Sequence, residues 1–146
     1  MNFGYTIKSV LALVLVAMAF SRPAAADDYA AAISAYRRAN GVGAVKIDGR
    51  LNVLAKRQAE AMSAAGKVSH NVVGDFRDRV AKLGRRVAAE NVAAGELTFS
   101  ATLKQWIDSA GHRENLLTPD AKRVGVAFVS NPSSPYRRFW AMIITD

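Results

Sequence analysis

No cysteine occurs among the 146 residues of the chain. This excludes a disulfide framework, a thiolate nucleophile, a cysteine-type zinc site and an iron–sulfur cluster. With 51% hydrophobic and 22% charged residues, the composition is that of a folded globular protein rather than a disordered or multi-span membrane chain. A domain of about 120 residues buries roughly two-thirds of its unfolded surface. Such a chain must be held together by one core without covalent cross-links.

The start of the chain has the pattern of a secretory signal peptide, which we expect over residues 1–26. A lightly basic segment ending at Lys8 precedes the apolar run Ser9–Phe20. The alternative is a retained membrane anchor, but this run is shorter than the roughly 20 residues that cross a hydrocarbon core. The pattern therefore favours a cleaved leader and a secreted or periplasmic protein.

The cleavage site is expected after a short stretch of small residues. Ala24 and Ala26 occupy the −3 and −1 positions of such a site. The mature domain then covers residues 27–146 and begins at Asp27. The intact mass of the exported protein checks this prediction, and a full-length membrane-bound species would contradict it.

Lysine and arginine outnumber acidic residues by 20 to 12, and only two of these bases lie in the predicted leader. The mature domain therefore keeps an excess of six bases. Export makes nucleic acid a poor candidate partner for this charge and favours an envelope polymer, a lipid or an anionic membrane surface. The paired arginines are expected on solvated faces and strand edges; they are Arg37-Arg38, Arg85-Arg86 and Arg137-Arg138.

Helical periodicity of apolar residues dominates the first two-thirds of the mature domain. It predicts a helix over Tyr29–Asn40, a second from Leu51 to Gly66 and a short third from Asp75 to Gly84. Ser100 is the expected N-cap of a further helix, whose apolar stripe contains Trp106. Glycine follows or ends the first three segments, as expected at helix C-termini.

Extended segments follow the helices. Arg86–Asn91 is predicted as a short extended piece, and Gly111–Leu117 as a turn. Val124–Ser130 and Arg137–Thr145 alternate in the manner of strands, and the Pro-rich and Ser-rich residues 131–135 join them as an antiparallel pair. Helices first and strands last indicate an α+β layered domain.

Three titratable groups lie where predicted elements end, which is where sites are commonly built. They are His70 and His112, the only histidines, and Glu90. By chemistry alone they could form a zinc set with an open position, an acid–base pair, or hydrogen-bonded structural groups. The residues themselves leave these three readings open.

Four spaced runs occur in an order that resembles a known family. They are Lys67–His70, Ala89–Ala93, Trp106–Leu117 and Val124–Ala127. Together they resemble a bacterial SCP-like extracellular protein of the CAP superfamily (cysteine-rich secretory proteins, antigen 5, pathogenesis-related 1). The resemblance extends from Ile33 to Ile144 and implies an α–β–α sandwich with a central antiparallel sheet. The lack of cysteine fits the bacterial branch.

The resemblance also implies a surface cleft, which in many members carries two histidines and two glutamates and in some binds a divalent metal. His70, Glu90 and His112 match three of these four positions. The second glutamate is replaced by Ser109, and Asn115 adds a side-chain amide near the cleft. We predict a weak divalent-metal site, with zinc the best candidate, held by His70 and His112, and a hydrogen bond from one imidazole to Glu90.

The family does not fix an activity, so three functions remain to be compared. The first is a secreted binding module whose cleft holds an envelope or lipid-like ligand. The second is a divalent-metal-assisted hydrolase in which His70 and His112 hold the ion and Glu90, the candidate catalytic residue, activates a water. The third is a structural interaction protein of the envelope, attracted to anionic surfaces by its charge.

Overall fold

The computed structural model describes residues 26–146, with side chains from Asp28 onward. The predicted leader lies outside this range except for Ala26, so its cleavage stays a prediction. In the described part of the chain, none of the helices combines the length and the apolar character that crossing a membrane requires.

The described residues form five helices and four strands, which are joined by loops and turns. The helices are α1 (Ala26–Ala39), α2 (Gly49–Ala65), α3 (Phe76–Ala81), α4 (Phe99–Asp108) and α5 (Ala110–Leu116). The strands are β1 (Lys46–Ile47), β2 (Ala88–Ala94), β3 (Arg123–Ser130) and β4 (Arg138–Thr145). The three helices predicted between residues 29 and 84 and the C-terminal strand pair are confirmed.

The four strands form one sheet in the order β1-β3-β4-β2. β4 pairs antiparallel with both β3 and β2, whereas the two-residue β1 pairs parallel with β3 at the edge. The sheet is therefore antiparallel at its centre, with one short parallel edge.

Strand β4 is buried on both of its faces, which makes it the middle of the molecule. Alternate side chains point to opposite faces of a strand. On one face Trp140 and Met142 pack with residues of α1, α4 and α5, and on the other Phe139 and Ala141 pack against α2. Ile143 extends the second face towards α3. Helices thus cover both faces, and the expected α–β–α sandwich is confirmed.

Helix α2 lies directly against the backbone of β3. A Cβ added to Gly125 would meet the carbonyl carbon of Leu51 at 2.2 Å, so only glycine allows this approach. The Asn52 side chain reinforces it, since its Oδ1 accepts from the Val126 amide at 3.0 Å. The position of α2, and of the residues that follow it, is therefore fixed relative to the sheet.

Two boundaries around α4 differ from the prediction. The N-cap is Thr98 rather than Ser100, because the Thr98 side chain accepts a hydrogen bond from the Ala101 amide at 3.2 Å. The turn predicted over Gly111–Leu117 is wrong, since α5 occupies almost all of it. Ser109 has an extended backbone and is both the C-cap of α4 and the N-cap of α5. The buried Leu116 side chain packs α5 against the core.

The extended piece predicted over Arg86–Asn91 corresponds to β2, which begins at Ala88 and continues to Ala94. Residues 91–93 are buried on this strand, where pairing with β4 extends the ladder beyond the predicted end.

The burial of Arg37 contradicts the prediction that the paired arginines lie on solvated faces and strand edges. Its side chain is fully buried. Its guanidinium donates hydrogen bonds of 2.6–3.1 Å to four backbone carbonyls, those of Gly43, Leu116, Thr118 and Ala121. The Arg37 side chain thus ties the end of α1 to the segments before β1, at the end of α5 and before β3.

Candidate functional site

The first predicted site residue, His70, follows α2 after a short segment that the helix itself positions. Gly66 ends α2 in the left-handed conformation, with φ of 63°. The buried Gln58 side chain then donates from Nε2 to the Ser69 carbonyl at 2.6 Å. These two contacts hold the segment before His70 close to α2.

Glu90 lies on β2 with its side chain only 1% exposed. Its Oε1 is 2.9 Å from Nδ1 of His70, so the expected hydrogen bond from one imidazole is present. Arg79 donates from Nη1 to Oε2 at 2.8 Å and from Nη2 to Oε1 at 3.0 Å. Both oxygens of the carboxylate are therefore engaged, and its charge is balanced by the guanidinium.

Arg79 is the site residue that sequence reasoning missed. It belongs to α3, and its Nη2 also donates to the His70 carbonyl at 2.9 Å. Nothing in its immediate sequence separates it from the neighbouring Arg77 and Arg85. The one available signal is indirect, because a carboxylate buried on a strand requires a cationic partner.

A second group of contacts lies on the other face of β2. Asn91, the next residue along the strand, donates from Nδ2 to the His112 carbonyl at 2.9 Å. Asn115 of α5 donates to Asn91 Oδ1 at 2.9 Å and to the Glu90 carbonyl at 3.0 Å. The two amide side chains therefore hold α5, and His112 with it, against β2.

Four of the five predicted residues are joined through β2 by these hydrogen bonds. We call His70, Glu90, His112 and Asn115 the β2-edge site, because β2 is an edge strand. Ser109 is different. It stands between α4 and α5 and its side chain makes no capping hydrogen bond to α5. Within residues 28–146, no hydrogen bond connects the Ser109 side chain to the other four.

A hydrogen bond at His70 and the burial of one ring nitrogen at His112 indicate which nitrogen carries the proton in each neutral histidine. A carboxylate only accepts, so His70 carries its proton on Nδ1 and has a lone pair on Nε2 when neutral. Nδ1 of His112 is buried without a partner in the described structure. Because a buried N–H without an acceptor is costly, the proton of neutral His112 belongs on Nε2. The two rings therefore offer one acceptor and one donor.

Protonation of His112 is disfavoured by its surroundings. Burial lowers the pKa of His112, and the nearby His70 lowers that pKa further. His112 is thus neutral at pH 7, in the form that hydrogen-bonds to a neutral ligand.

The donors of the β2-edge site fit a metal ion only in part. Among residues 26–146 no group of three or more His, Asp or Glu side chains could hold an ion together. His70 has the arrangement of a metal-binding imidazole, with its Nδ1 on a carboxylate and its Nε2 free to bind. His112 would first have to transfer its proton to the buried Nδ1, which has no acceptor there.

Comparison with known proteins agrees with this arrangement of motifs. The family model described as "Cysteine-rich secretory protein family" (CAP) matches residues 30–144. The uncharacterized protein YkwD of Bacillus subtilis is 30% identical over 104 residues, which are 68% of this chain and 40% of YkwD. The chain thus spans less than half the length of that relative.

Solved structures show the same fold at lower identity. An outer surface protein of Borrelia burgdorferi has a TM-score of 0.71 at 19% identity, covering 81% of this chain and 88% of its own. An extracellular protein containing an SCP domain from Bacillus anthracis has a TM-score of 0.70 at 24% identity, covering 81% of this chain and 39% of its own. With the family model covering most of the described residues, the chain belongs to the cysteine-rich secretory protein (CAP) family.

Proposed function

We propose that the protein is an extracellular binding module whose β2-edge site holds a hydroxyl-bearing ligand of the cell envelope. The observation that carries this proposal is the engagement of both Glu90 oxygens by Arg79 and His70. The buried carboxylate fixes the His70 ring and has no free oxygen to activate a water. An extracellular place is supported by the predicted signal peptide and by the names of the two structural relatives.

The class of ligand follows from the two imidazoles. His70 offers an acceptor at Nε2 and His112 offers a donor at Nε2, as their hydrogen bonding implies. A hydroxyl group both donates and accepts, so hydroxyl groups of a ligand match both rings without changing their protonation. Envelope glycans carry many such groups. The hydrolase alternative has less support, because it requires Glu90 to act on a water.

Cosedimentation with isolated peptidoglycan, a hydroxyl-rich envelope polymer, tests the proposal at pH 7.5. We expect His70→Ala and His112→Ala to raise the dissociation constant about fivefold or more, the loss of roughly 1 kcal/mol of binding free energy. Lys104→Gln is the matched control, since Lys104 is exposed and pairs with Asp108 on α4. Binding that is equal in all four proteins and is lost in high salt would instead favour the charge-driven interaction protein.

A divalent ion is a second candidate ligand, favoured by the carboxylate-backed imidazole of His70. When bound, the ion would be held by His70 and His112, and it could supply Lewis-acid chemistry. We expect weak zinc binding at neutral pH that is abolished by His112→Ala and only weakened by Glu90→Gln. Calorimetric titration measures this. Equal heats from wild type and His112→Ala, or none from either, would remove both the ion and the hydrolase alternative.

A further inference from the structure

Three arginines converge on the carboxylate of Asp48, which lies where β1 ends and α2 begins. Its Oδ2 is 3.6 Å from Nη2 of both Arg50 and Arg85, and 3.8 Å from Nη1 of Arg123. Because all three nitrogens lie this close to one oxygen, they also lie close to one another. We call Asp48, Arg50, Arg85 and Arg123 the Asp48 cluster.

The fold brings these residues together from three separate parts of the chain. Pairing of β1 with β3 places Lys46 beside Arg123. Side chains alternate along an extended strand, so Asp48 lies on the same face as Lys46 and therefore near Arg123. Arg50 follows in the first turn of α2, and Arg85 comes from the segment between α3 and β2.

The arginines of the Asp48 cluster have unused hydrogen-bonding capacity. Distances of 3.6–3.8 Å to Oδ2 are longer than normal hydrogen bonds. Oδ1 is occupied as well, since it accepts from the Arg50 amide at 2.9 Å. The Arg85 side chain is only 19% exposed, and its Nε is buried without a partner in the described part of the chain. A buried donor without an acceptor is rare in native structures and requires an explanation.

The charges of the Asp48 cluster do not balance, because three guanidinium groups face one carboxylate. Within residues 28–146, no other acid forms a salt bridge with any of the three arginines. Asp146, the acid nearest to Arg85 and Arg86 in the fold of β2, is engaged by Arg86. Two positive charges are therefore uncompensated, and Lys46 adds an exposed base on the same face.

We propose that the Asp48 cluster binds a soluble phosphomonoester. Such a group carries close to two negative charges above its second pKa of about 6, which matches the two uncompensated arginines. Guanidinium groups bind phosphate oxygens through paired N–H donors. Arg85 and Arg123 are the main ligands, because the Arg50 side chain is 66% exposed and less fixed. The proposal goes beyond the proposed function, since no residue of the β2-edge site belongs to this cluster.

The test is an NMR titration at pH 7.5 with methyl phosphate, a dianion, and with dimethyl phosphate, a monoanion, at equal ionic strength. We expect methyl phosphate to bind about fivefold more tightly or better. It should also shift the Nε–Hε signal of Arg85, which reports where the ligand binds. Equal affinity for the two probes would overturn the proposal, as would a lack of methyl phosphate binding by wild type.

Arg85→Gln and Arg123→Gln should each weaken methyl phosphate binding about fivefold or more. Arg57→Gln is the matched control, because Arg57 is an exposed arginine about two turns beyond Arg50 on α2 and forms no salt bridge with Asp48. It removes the same charge and should change the affinity less than twofold. If Arg57→Gln weakens binding as much as the other two variants, the attraction is general and the site is wrong.

Asp48→Asn tests the charge balance in the opposite direction. Asparagine can still cap α2, but it removes the negative charge that competes with the ligand. The affinity for methyl phosphate should rise about threefold or more, and an unchanged or lower affinity would contradict the proposal.

Glycerol 3-phosphate and vesicles of phosphatidic acid separate a soluble ester from a membrane surface. We expect glycerol 3-phosphate to bind and to lose affinity in Arg85→Gln, as methyl phosphate does. Binding to the vesicles without binding to glycerol 3-phosphate would show a membrane interaction and overturn the proposal. Urea midpoints confirm that each variant is folded, and the half-exposed Arg123 decides the outcome through Arg123→Gln if Arg85→Gln is unstable.

Discussion

A cavity of about 590 Å³ lies between α2 and α3, and we call it the α2–α3 cavity. It shares Arg79 with the β2-edge site, but the two regions are built in opposite ways. At the β2-edge site, the Glu90 carboxylate is buried and each of its oxygens has a partner. At the cavity, Val53 is exposed, and the lining carries bases and acids without salt bridges in the described range, namely Arg57, Lys82, Asp75 and Asp78. This contrast indicates that the residues carrying the family resemblance mainly fix geometry. The residues that line the cavity lie outside these motifs.

The largest effect is expected from Trp106→Ala, which sets a reference for losing the core on the α1, α4 and α5 face of the sheet. Trp106 is fully buried, so truncation should lower the free energy of unfolding by about 3–5 kcal/mol. Urea unfolding measures this. A midpoint within error of wild type would mean that the indole is dispensable to the core.

Arg79→Ala should follow closely, and it tests how much the ion pair with Glu90 stabilises the β2-edge site. It leaves the buried Glu90 carboxylate without its cation, a loss of about 3–5 kcal/mol in the free energy of unfolding. The double variant Arg79→Met, Glu90→Gln removes both charges and should recover much of that loss. Urea unfolding of the two proteins provides the comparison, and equal losses would show that the ion pair is not what Arg79 contributes.

The dependence of stability on pH should distinguish the half-buried His112 from the cavity, because only the histidine titrates near neutral pH. Because burial lowers the pKa of His112 in the folded state, the unfolded chain binds a proton first as the pH falls below about 6.5. The free energy of unfolding should therefore fall as the pH drops from 6.5 through the lowered pKa. His112→Gln should remove this part of the slope. Urea unfolding of wild type and His112→Gln between pH 5 and pH 7.5 measures this difference. If the free energy of unfolding depends on pH equally in both proteins, His112 is not the titrating group.

The smallest effect is expected from Val53→Ser. This variant tests whether the exposed wall of the cavity contributes to folding stability. An exposed valine contributes little to the core, so the change in the free energy of unfolding should stay within about 0.5 kcal/mol. A loss several times larger, measured by urea unfolding, would show that the cavity wall is part of the core rather than a binding surface.

Elements with a clear hydrophobic period could be predicted from the sequence, and those held by distant contacts could not. α2 and the β3–β4 pair carry regular apolar patterns and strong end signals such as Gly66. α5 was missed because its seven residues are mostly polar and Leu116 alone is buried. β1 is only two residues long and depends on pairing with β3.

The candidate site likewise contains residues that could be predicted from the sequence and one that could not. His70, Glu90 and His112 could be named from the order of the motifs. A hydrogen bond from one imidazole to Glu90 was expected, and the structure identifies that imidazole as His70. Arg79 could not, since its role depends on α3 packing beside β2, and Arg77 two residues earlier has the same side chain. Local sequence does not say which of several arginines faces inward.

The buried Arg37 has a consequence for how this cysteine-free domain is assembled. Its four hydrogen bonds link chain segments up to 84 residues apart, a span that secreted domains often bridge with a disulfide. Such a tie forms without electron transfer, so its strength is independent of redox potential. We expect identical thermal unfolding in oxidising and reducing buffers. Refolding should require neither a thiol oxidase nor a disulfide isomerase. These hydrogen bonds therefore stabilise the domain equally in oxidising and in reducing surroundings.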